Sequence, residues 1–495
     1  MRKTVVIIGG GLGGLITGAI LSKEGFQVTI LEKNATVGGG LQSFQRFGET
    51  FDSGMHVIGG MGPGGNVRRI CDYIGISDKI DVMPVDDDCT DELFFAEDRQ
   101  HYRIAKGKDG FVASLASYFP AEEQNLRRYV EAIFRVTEEV DLFYLRPTND
   151  FMVTHSDEFL MPADGFIAKY LTDPRLRSIA AYMNPFYGGR HNQTPAYVHA
   201  IISSLYITGA ERFVGGSSKF ADSIVEAIEG NGGKVICNSQ VEWIDVVDRE
   251  VTYVRCKNKE EYRADYYISD IHPCTLLHLM PEQAFPKAFR QRMEEIPNAY
   301  SAFSLYMKVR ENCFPYINHS EYYMSRYDDV WNFGRMDRPW PLGFLLMTPP
   351  EPNQSAYSRK VLVTAPMNFE RVRRWENTTV GHRGDEYIHW KAEMTDLLMN
   401  KIEDIHPGFS NIVEGVNSAS PLTIRDYYAV KDGSLYGFSK DWKNITFSQL
   451  PVVTKVHNLL LTGQSNNLHG FCGVSLTAIN TCEAILGLNY IINKL

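Results

Sequence analysis

Several features that would assign this sequence to a common class are missing from it. No run of about 18 uncharged apolar residues occurs, which argues against a membrane-spanning helix. The eight cysteines form no Cys-x-x-Cys pair and no other zinc-ligand spacing, so we expect reduced thiols in a cytoplasmic protein and no metal site. The net charge of -10 lacks the basic excess of nucleic-acid-binding proteins, and no nucleic-acid partner is expected.

A repeat of fixed period, a low-complexity tract and a Ser-His-Asp signature in a suitable context are also absent. The 495 residues are 44% apolar, which is enough for a large packed core. This length predicts about three domains, or two if one of them is discontinuous.

The first 32 residues carry the most informative pattern. The β-branched run from Val5 to Ile8 predicts a buried strand, and the turn Gly9-x-Gly11-x-x-Gly14 follows it directly. A helix to Lys23 and a second strand ending at Glu32 complete the unit. Glycines in such a turn let the backbone approach a pyrophosphate, and the carboxylate accepts hydrogen bonds from a ribose. The pattern therefore predicts a dinucleotide site.

A second glycine cluster favours FAD over NAD as the ligand. Gly38, Gly39 and Gly40 come shortly after the second strand, and Leu41 follows them. This cluster lets the backbone approach the ribityl-pyrophosphate chain of FAD, so we predict that Gly39, Gly40 and Leu41 follow that chain. No second dinucleotide fingerprint is visible, and no residue supports NAD(P)H as an electron donor.

The glycine turn, the acidic residue and the second glycine cluster resemble a flavoprotein group that includes amine oxidases, phytoene desaturases, carotenoid isomerases and retinol saturases. The segment from Phe51 to Gly59 is similar to the retinol saturases, as are the block from Gly215 to Ser218 and the run from Leu461 to Gln464. Many amine oxidases and bacterial phytoene desaturases carry Gly-Gly-Arg where this chain has Gly39-Gly40-Leu41. That departure argues against those two subfamilies and is compatible with the saturase branch.

The resemblance implies an α/β fold, with a Rossmann-like FAD domain of the glutathione-reductase type and an inserted mixed α+β substrate domain. The FAD domain would comprise 1–70, 215–275 and 455–495, and the substrate domain 71–214 and 276–454. A helix beginning near Gly473 would direct its positive end at the flavin ring. Gly463, Gln464 and Gly473 would border that ring, and Val241 would offer its backbone to the adenine.

Three histidines are candidates for catalysis. By resemblance, His56 lies near the flavin ring, where it would orient the substrate or donate a proton. His191 and His199 precede the Gly215 block and are candidates for lining the substrate cavity. A structural histidine, bonded to its neighbours, is the alternative for each of the three.

These observations predict an FAD-dependent oxidoreductase that acts on carbon–carbon double bonds of a long apolar conjugated molecule such as a retinoid, carotenoid or other polyene. The resemblance favours saturation, and desaturation and cis–trans isomerisation are alternatives on the same scaffold. A non-catalytic binder of prenylated partners, like the Rab escort and dissociation-inhibitor proteins, is the alternative of another class. An apolar small molecule is the expected partner, peripheral membrane contact is compatible with it, and the oligomeric state stays open.

Overall fold

A computed structural model describes residues 2–54, 56–148 and 155–495 of the chain. The strands are β1 (Thr4–Ile8), β2 (Gln27–Leu31), β3 (Ser43–Arg46), β4 (Glu49–Asp52), β5 (Val82–Pro84), β6 (Asp91–Phe95), β7 (Gln100–Ile104), β8 (Glu211–Phe213), β9 (Lys234–Ile236), β10 (Val241–Val247), β11 (Glu250–Cys256), β12 (Glu261–Tyr262), β13 (Tyr266–Ser269), β14 (Ser301–Val309), β15 (Phe314–Pro315), β16 (Ser320–Met324), β17 (Gly343–Met347), β18 (Tyr357–Ser358), β19 (Lys360–Met367), β20 (Val413–Ala419) and β21 (Leu459–Leu461). The helices are α1 (Leu12–Lys23), α2 (Asn66–Ile74), α3 (Lys108–Tyr118), α4 (Glu123–Glu138), α5 (Asp157–Leu160), α6 (Ala163–Tyr170), α7 (Pro174–Ala180), α8 (Ala196–Thr208), α9 (Ser218–Gly230), α10 (Pro273–His278), α11 (Lys287–Glu295), α12 (Asp385–Ile405), α13 (Pro421–Tyr428), α14 (Ile445–Ser448) and α15 (Gly470–Leu486).

A five-stranded parallel sheet, in the order β21-β13-β1-β2-β9, organises one part of the molecule. In β1, Val5 and Ile7 pack into one hydrophobic cluster, whereas Val6 and Ile8 pack into another. A parallel strand that is buried on both faces needs a continuous apolar run, which is what the sequence provides. The predicted α/β fold class and this first strand are confirmed.

Helix α1 packs against the sheet and contacts α9 and α15. Two of its glycines make the close approach possible. A Cβ at Gly18 would lie 2.8 Å from the Ile30 side chain, and a Cβ at Gly14 would collide with the carbonyl oxygen of Gly9. The glycines of the turn therefore bring the start of the helix against the end of β1.

A seven-stranded mixed sheet, in the order β20-β14-β19-β17-β16-β6-β7, forms the second part. Its β16–β6 pair is parallel and its other pairs are antiparallel. Trp390, Leu398 and Ile402 of α12 share a hydrophobic cluster with Phe303 and Leu305 of β14. Helix α3 packs against β7 of this sheet, and α4, α5 and α6 pack against α8.

The sequence pattern predicts a closing helix over Val474 to Ile492 and a strand over Tyr262 to Ser269, and both have different bounds in the structure. Helix α15 begins at Gly470 and ends before Gly487, whose φ of +114° is accessible to glycine. The strand is interrupted and forms β12 and β13. Within the described residues, no helix is both long and apolar enough to cross a bilayer.

We expect Gly14→Ala to destabilise the protein, because the new methyl group meets the Gly9 carbonyl oxygen in a backbone contact that cannot relax. Overpacking of this kind costs about 1–3 kcal/mol, which should lower the melting temperature of the apoprotein by several degrees. Gly230→Ala is the matched control, because no atom of another described segment lies within 4 Å of a Cβ at that helix position. Equal melting temperatures for the two variants would contradict this account of the turn.

Candidate functional site

Four neighbouring parallel strands end at one edge of the five-stranded sheet, and the residues that follow them form a crevice. Gly9 follows β1, Glu32 follows β2, Asp270 follows β13 and Gly463 lies shortly after β21. The hydrogen bonding between β1 and β2 continues past the end of β1, because Gly9 N donates to the Leu31 carbonyl at 2.9 Å. Ligands of open α/β sheets bind at this carboxyl edge.

Glu32 is buried within the crevice, with a fractional exposure of 6%. Its Oε2 accepts a hydrogen bond from Gly10 N at 2.8 Å, and its Oε1 accepts one from Asn34 N at 2.8 Å. The two backbone donors fix the carboxylate at the end of β2 and leave lone pairs on both oxygens. Val241 is buried. Ser239, two residues before it in the chain, donates its backbone N–H to the Glu32 carbonyl at 2.7 Å and so holds this segment beside Glu32.

The second glycine cluster, Gly38 to Gly40, packs directly against the glycine turn that follows β1. Gly38 N donates to the Gly10 carbonyl at 2.7 Å, and a Cβ at Gly39 would lie 3.5 Å from the Gly11 Cα. No described atom lies within 4 Å of a Cβ at Gly40, so that face of the cluster is open. Leu41 is buried behind it.

Ser217 joins this cluster to the segment that carries His56. Its hydroxyl donates to the Leu41 carbonyl at 3.0 Å, and its backbone N–H donates to Asp52 Oδ1 at 2.9 Å. Sequence reasoning predicts Ser217 as an N-cap; it does occupy that position before α9, but its hydroxyl bonds Leu41 instead of the helix. The residue therefore ties two distant pieces of chain together.

Asp270 is the residue of the crevice that sequence reasoning missed. A Cβ at Gly11 would lie 2.7 Å from its Oδ2, and a Cβ at Gly13 or at Gly463 would lie 2.5 Å from its Oδ1. Three glycines therefore make a cradle for an anionic group, and the backbone N–H groups of Gly14 and Gly11 face it. An acidic residue directly after a predicted strand was the available signal.

The carboxyl group of Asp270 has a raised pKa of about 7. Burial is the largest cause, and the negative charge of Glu32 adds to it, whereas the N–H groups of Gly14 and Gly11 act in the opposite direction. Near neutral pH the group therefore exchanges between its neutral and ionised forms.

The carboxy-terminal residues close the crevice on the other side. Gly463 has a φ of +89°, and Gln464 beside it is half-buried. Gly473 lies inside α15 and not before it; a Cβ there would approach the Leu468 Cβ to 2.8 Å. The positive end of α15 is consequently at Gly470, one turn earlier than expected.

An apolar cavity that opens to solvent lies between α8 and the first turns of α15, and the empty space within it and its opening together is about 410 Å³. Val198, Ile201 and Leu205 line it from one face of α8, at the spacing of neighbours on a helix. Cys472 and Gly473 line it from α15. The cavity therefore touches the helix whose start borders the crevice.

His56 lines a second, more polar and smaller cavity, together with Asp52 and Arg212. Its Nδ1 is buried and has no hydrogen-bond partner among the described residues. Burial lowers the pKa of His56, opposed by Asp52 and assisted by Arg212. The segment after it reaches α8, where the Tyr206 hydroxyl donates to the Val57 carbonyl at 3.2 Å.

The structure places the other two predicted histidines away from both cavities. His199 is fully buried: the Tyr129 hydroxyl lies 2.6 Å from its Nε2 and the Tyr187 hydroxyl 3.1 Å from its Nδ1. Burial lowers its pKa to about 3, so it is a neutral, satisfied core residue. His191 is exposed, with Nε2 3.1 Å from Asp164. Neither lines a cavity described above.

Cys89, Glu92 and His319 are close enough together to hold a metal ion, although sequence reasoning predicts no metal site. Arg103 lies against this group and hydrogen-bonds Cys89. Burial raises the pKa of the Cys89 thiol to about 11. A resident guanidinium and a protonated thiol disfavour a cation here, because metals bind the thiolate.

Residues 12–408 match the family described as flavin containing amine oxidoreductase. The chain belongs to this family. All-trans-retinol 13,14-reductase from Rattus norvegicus is 26% identical over 99% of this chain and 86% of that protein. Chloroplastic prolycopene isomerase from Arabidopsis thaliana is 24% identical over 87% of this chain and 73% of that protein. An oxidoreductase from Methanosarcina mazei has the same fold, with a TM-score of 0.67 and 17% identity over 97% of this chain and 100% of that chain.

As a member of this flavoprotein family, the protein is an FAD-dependent oxidoreductase. The crevice fits that cofactor, because its glycine cradle excludes Cβ atoms and already surrounds one anionic group, the carboxylate of Asp270. The predictions of FAD and of an enzyme are thereby confirmed, and the non-catalytic alternative is set aside. The individual cofactor contacts stay predictions.

We expect FAD to bind more weakly as the pH rises through about 7. The pyrophosphate is negatively charged, and it competes with ionised Asp270 for the same N–H groups. If only the protein with neutral Asp270 binds FAD, the affinity for FAD falls by up to about tenfold per pH unit above the pKa of Asp270. Titration of the apoprotein with FAD, followed by flavin fluorescence between about pH 6 and pH 9, measures this dependence.

The matched variant is Asp270→Asn, because asparagine keeps the shape of the aspartate side chain but has no carboxyl group to titrate. It should bind FAD more tightly than the wild type at high pH and show a flatter profile. Asp248→Asn, in an exposed turn, serves as the control. A wild-type profile in Asp270→Asn would refute the role assigned to this carboxylate.

Proposed function

We propose that this enzyme reduces a carbon–carbon double bond of a long apolar conjugated molecule, of the retinoid, carotenoid or polyene class. The observation that carries the proposal is the apolar cavity, whose walls come from α8 and from the start of α15. The printed names of the relatives support the substrate class, since they act on retinol and on prolycopene. Saturation is favoured because the retinol reductases match nearly the whole chain.

In this proposal, residues 1–70, 215–275 and 455–495 form the cofactor domain and 71–214 and 276–454 form the substrate domain. The turn and Glu32 hold the adenosine diphosphate half of FAD, the second cluster follows the ribityl chain, and the carboxy-terminal glycines border the ring. The residues assigned to the cofactor are Gly9, Gly11, Gly14, Glu32, Gly39, Gly40, Leu41, Val241, Gly463, Gln464 and Gly473. Asp270 lies among them as the carboxyl group that competes with the cofactor for the Gly11 and Gly14 N–H groups.

When bound and reduced, FAD would supply a hydride, that is, a hydrogen with its electron pair, to one carbon of the double bond. The neighbouring carbon requires a proton, and His56 is the side chain proposed to deliver it from its imidazolium form. Because His56 lines the second cavity, this role requires the reacting double bond to extend from the apolar cavity towards that second cavity. The side chains of Val198, Ile201 and Leu205 hold the polyene by apolar contact and exclude water from the cavity.

An anaerobic assay with photoreduced enzyme tests the proposal. Mixed with all-trans-retinol or a carotenoid, the enzyme should regain the oxidised flavin spectrum while the polyene loses its long-wavelength absorbance. If the flavin stays reduced while the polyene spectrum changes, the enzyme is an isomerase. Reduction of oxidised enzyme by a more saturated carotenoid identifies a desaturase. No reaction with any of these polyenes refutes the substrate class.

His56→Gln should slow the reoxidation of the flavin by the polyene by about a hundredfold or more. Because burial lowers the pKa of His56, its imidazolium is scarce at neutral pH, and the wild-type rate should rise as the pH falls from about 8 to about 6. The variant should lose this dependence. The exposed His389→Gln variant is the control. A wild-type rate and pH profile in His56→Gln would exclude His56 as the proton donor.

A further inference from the structure

Lys440 places a charged group in the wall of the apolar cavity. The residue is only 6% exposed, and its Nζ donates one hydrogen bond, to the Ser448 carbonyl at 3.1 Å. Among the residues that the structure describes, no carboxylate pairs with it and no nearby charge offsets its burial. The remaining donor capacity of the ammonium group is therefore unused.

His469 lies beside Lys440 in the same wall and adds a second unsatisfied polar atom. It is 8% exposed, and its Nε2 has no hydrogen-bond partner among the described residues. Burial, assisted by the charge of Lys440, lowers the pKa of His469 to about 3. The imidazole is neutral and donates a hydrogen bond from Nε2 in the matching tautomer.

The rest of the cavity offers no negative group to this pair. Its lining residues include no Asp or Glu. Burial of an unpaired ammonium is unfavourable unless an anion accompanies it. Burial has lowered the pKa of Lys440 only to about 8, so the side chain stays mostly protonated at neutral pH. A bound anionic group would supply the missing counter-charge.

We propose that Lys440 and His469 bind the carboxylate of the substrate, so that the enzyme prefers unsaturated carboxylic acids to the corresponding alcohols. The apolar chain lies along Val198, Ile201 and Leu205, and the carboxylate meets Lys440 Nζ and His469 Nε2. This inference rests on the proposed function, because it names the polar end of the same substrate.

The test compares two acid and alcohol pairs of equal chain on the FAD-loaded enzyme: retinoate with retinol, and linoleate with linoleyl alcohol. Binding is followed by quenching of tryptophan fluorescence. A charge-assisted hydrogen bond in a buried site predicts that the acid of at least one pair binds about tenfold or more tightly than its alcohol. Equal affinities within both pairs would overturn the inference.

In Lys440→Met, the ratio of the affinity for the acid to the affinity for its alcohol should fall to about one. Lys440→Arg keeps the positive charge and should retain most of this ratio. Lys431→Met is the control, because Lys431 Nζ likewise donates to a backbone carbonyl, that of Glu294, but lies outside the cavity. Flavin content and circular dichroism verify that each variant folds. A ratio that survives in Lys440→Met refutes the assignment without needing any other result.

Three further outcomes separate the possible failures. If Lys440→Met shifts the midpoint potential of the flavin but leaves the acid-to-alcohol ratio intact, the ammonium serves the cofactor and the inference is wrong. If neither member of either pair binds or is reduced, the polyene function itself fails. If the alcohols bind and react as well as the acids, the function stands and only the carboxylate assignment falls.

Discussion

The absence of Cβ atoms where four parallel strands end is the constraint on which the site depends. Gly11, Gly13 and Gly463 leave a cradle in which any side chain would collide with the group at its centre. The same absence brings the start of α1 against β1 and directs backbone N–H groups into the crevice. Close packing and cofactor binding thus have one common cause, which explains why the glycines come from distant parts of the chain.

The crevice and the apolar cavity each contain buried ionisable groups, and these groups have opposite charge in the two places. The crevice contains the carboxylates of Glu32 and Asp270, which lie near the positive end of α1. The apolar cavity contains Lys440 with no carboxylate partner in the described part of the chain. Burial has opposite effects on the two kinds of group, raising the pKa of Asp270 and lowering that of Lys440. Each region therefore has a specific electrostatic requirement for its ligand.

The local part of this architecture could be predicted from the sequence. The strand, turn and helix from Thr4 to Lys23 and the position of Glu32 depend on neighbouring residues, so periodicity and glycine spacing were sufficient. Asp270 was missed because its role arises when β13 pairs with β1, which joins residues more than 250 positions apart. Lys440 and His469 belong to no local pattern and meet only in the folded chain.

His199 shows, on a single helix, that sequence does not reveal which side chains meet after folding. Val198, Ile201 and Leu205 face the cavity, whereas His199 faces Tyr129 in the core. Sequence alone does not determine the rotation of α8, because apolar residues occupy most of its circumference. A candidate histidine on such a helix can be located only once the packing is known.

Quantifying the flavin released by denaturing the purified protein tests the central claim most directly. The account predicts a yellow protein that releases one FAD per chain, and a Gly13→Val variant that folds but retains almost none, since the added side chain fills the cradle. A colourless wild-type protein that takes up no FAD, or a Gly13→Val variant that retains a full complement, would contradict it.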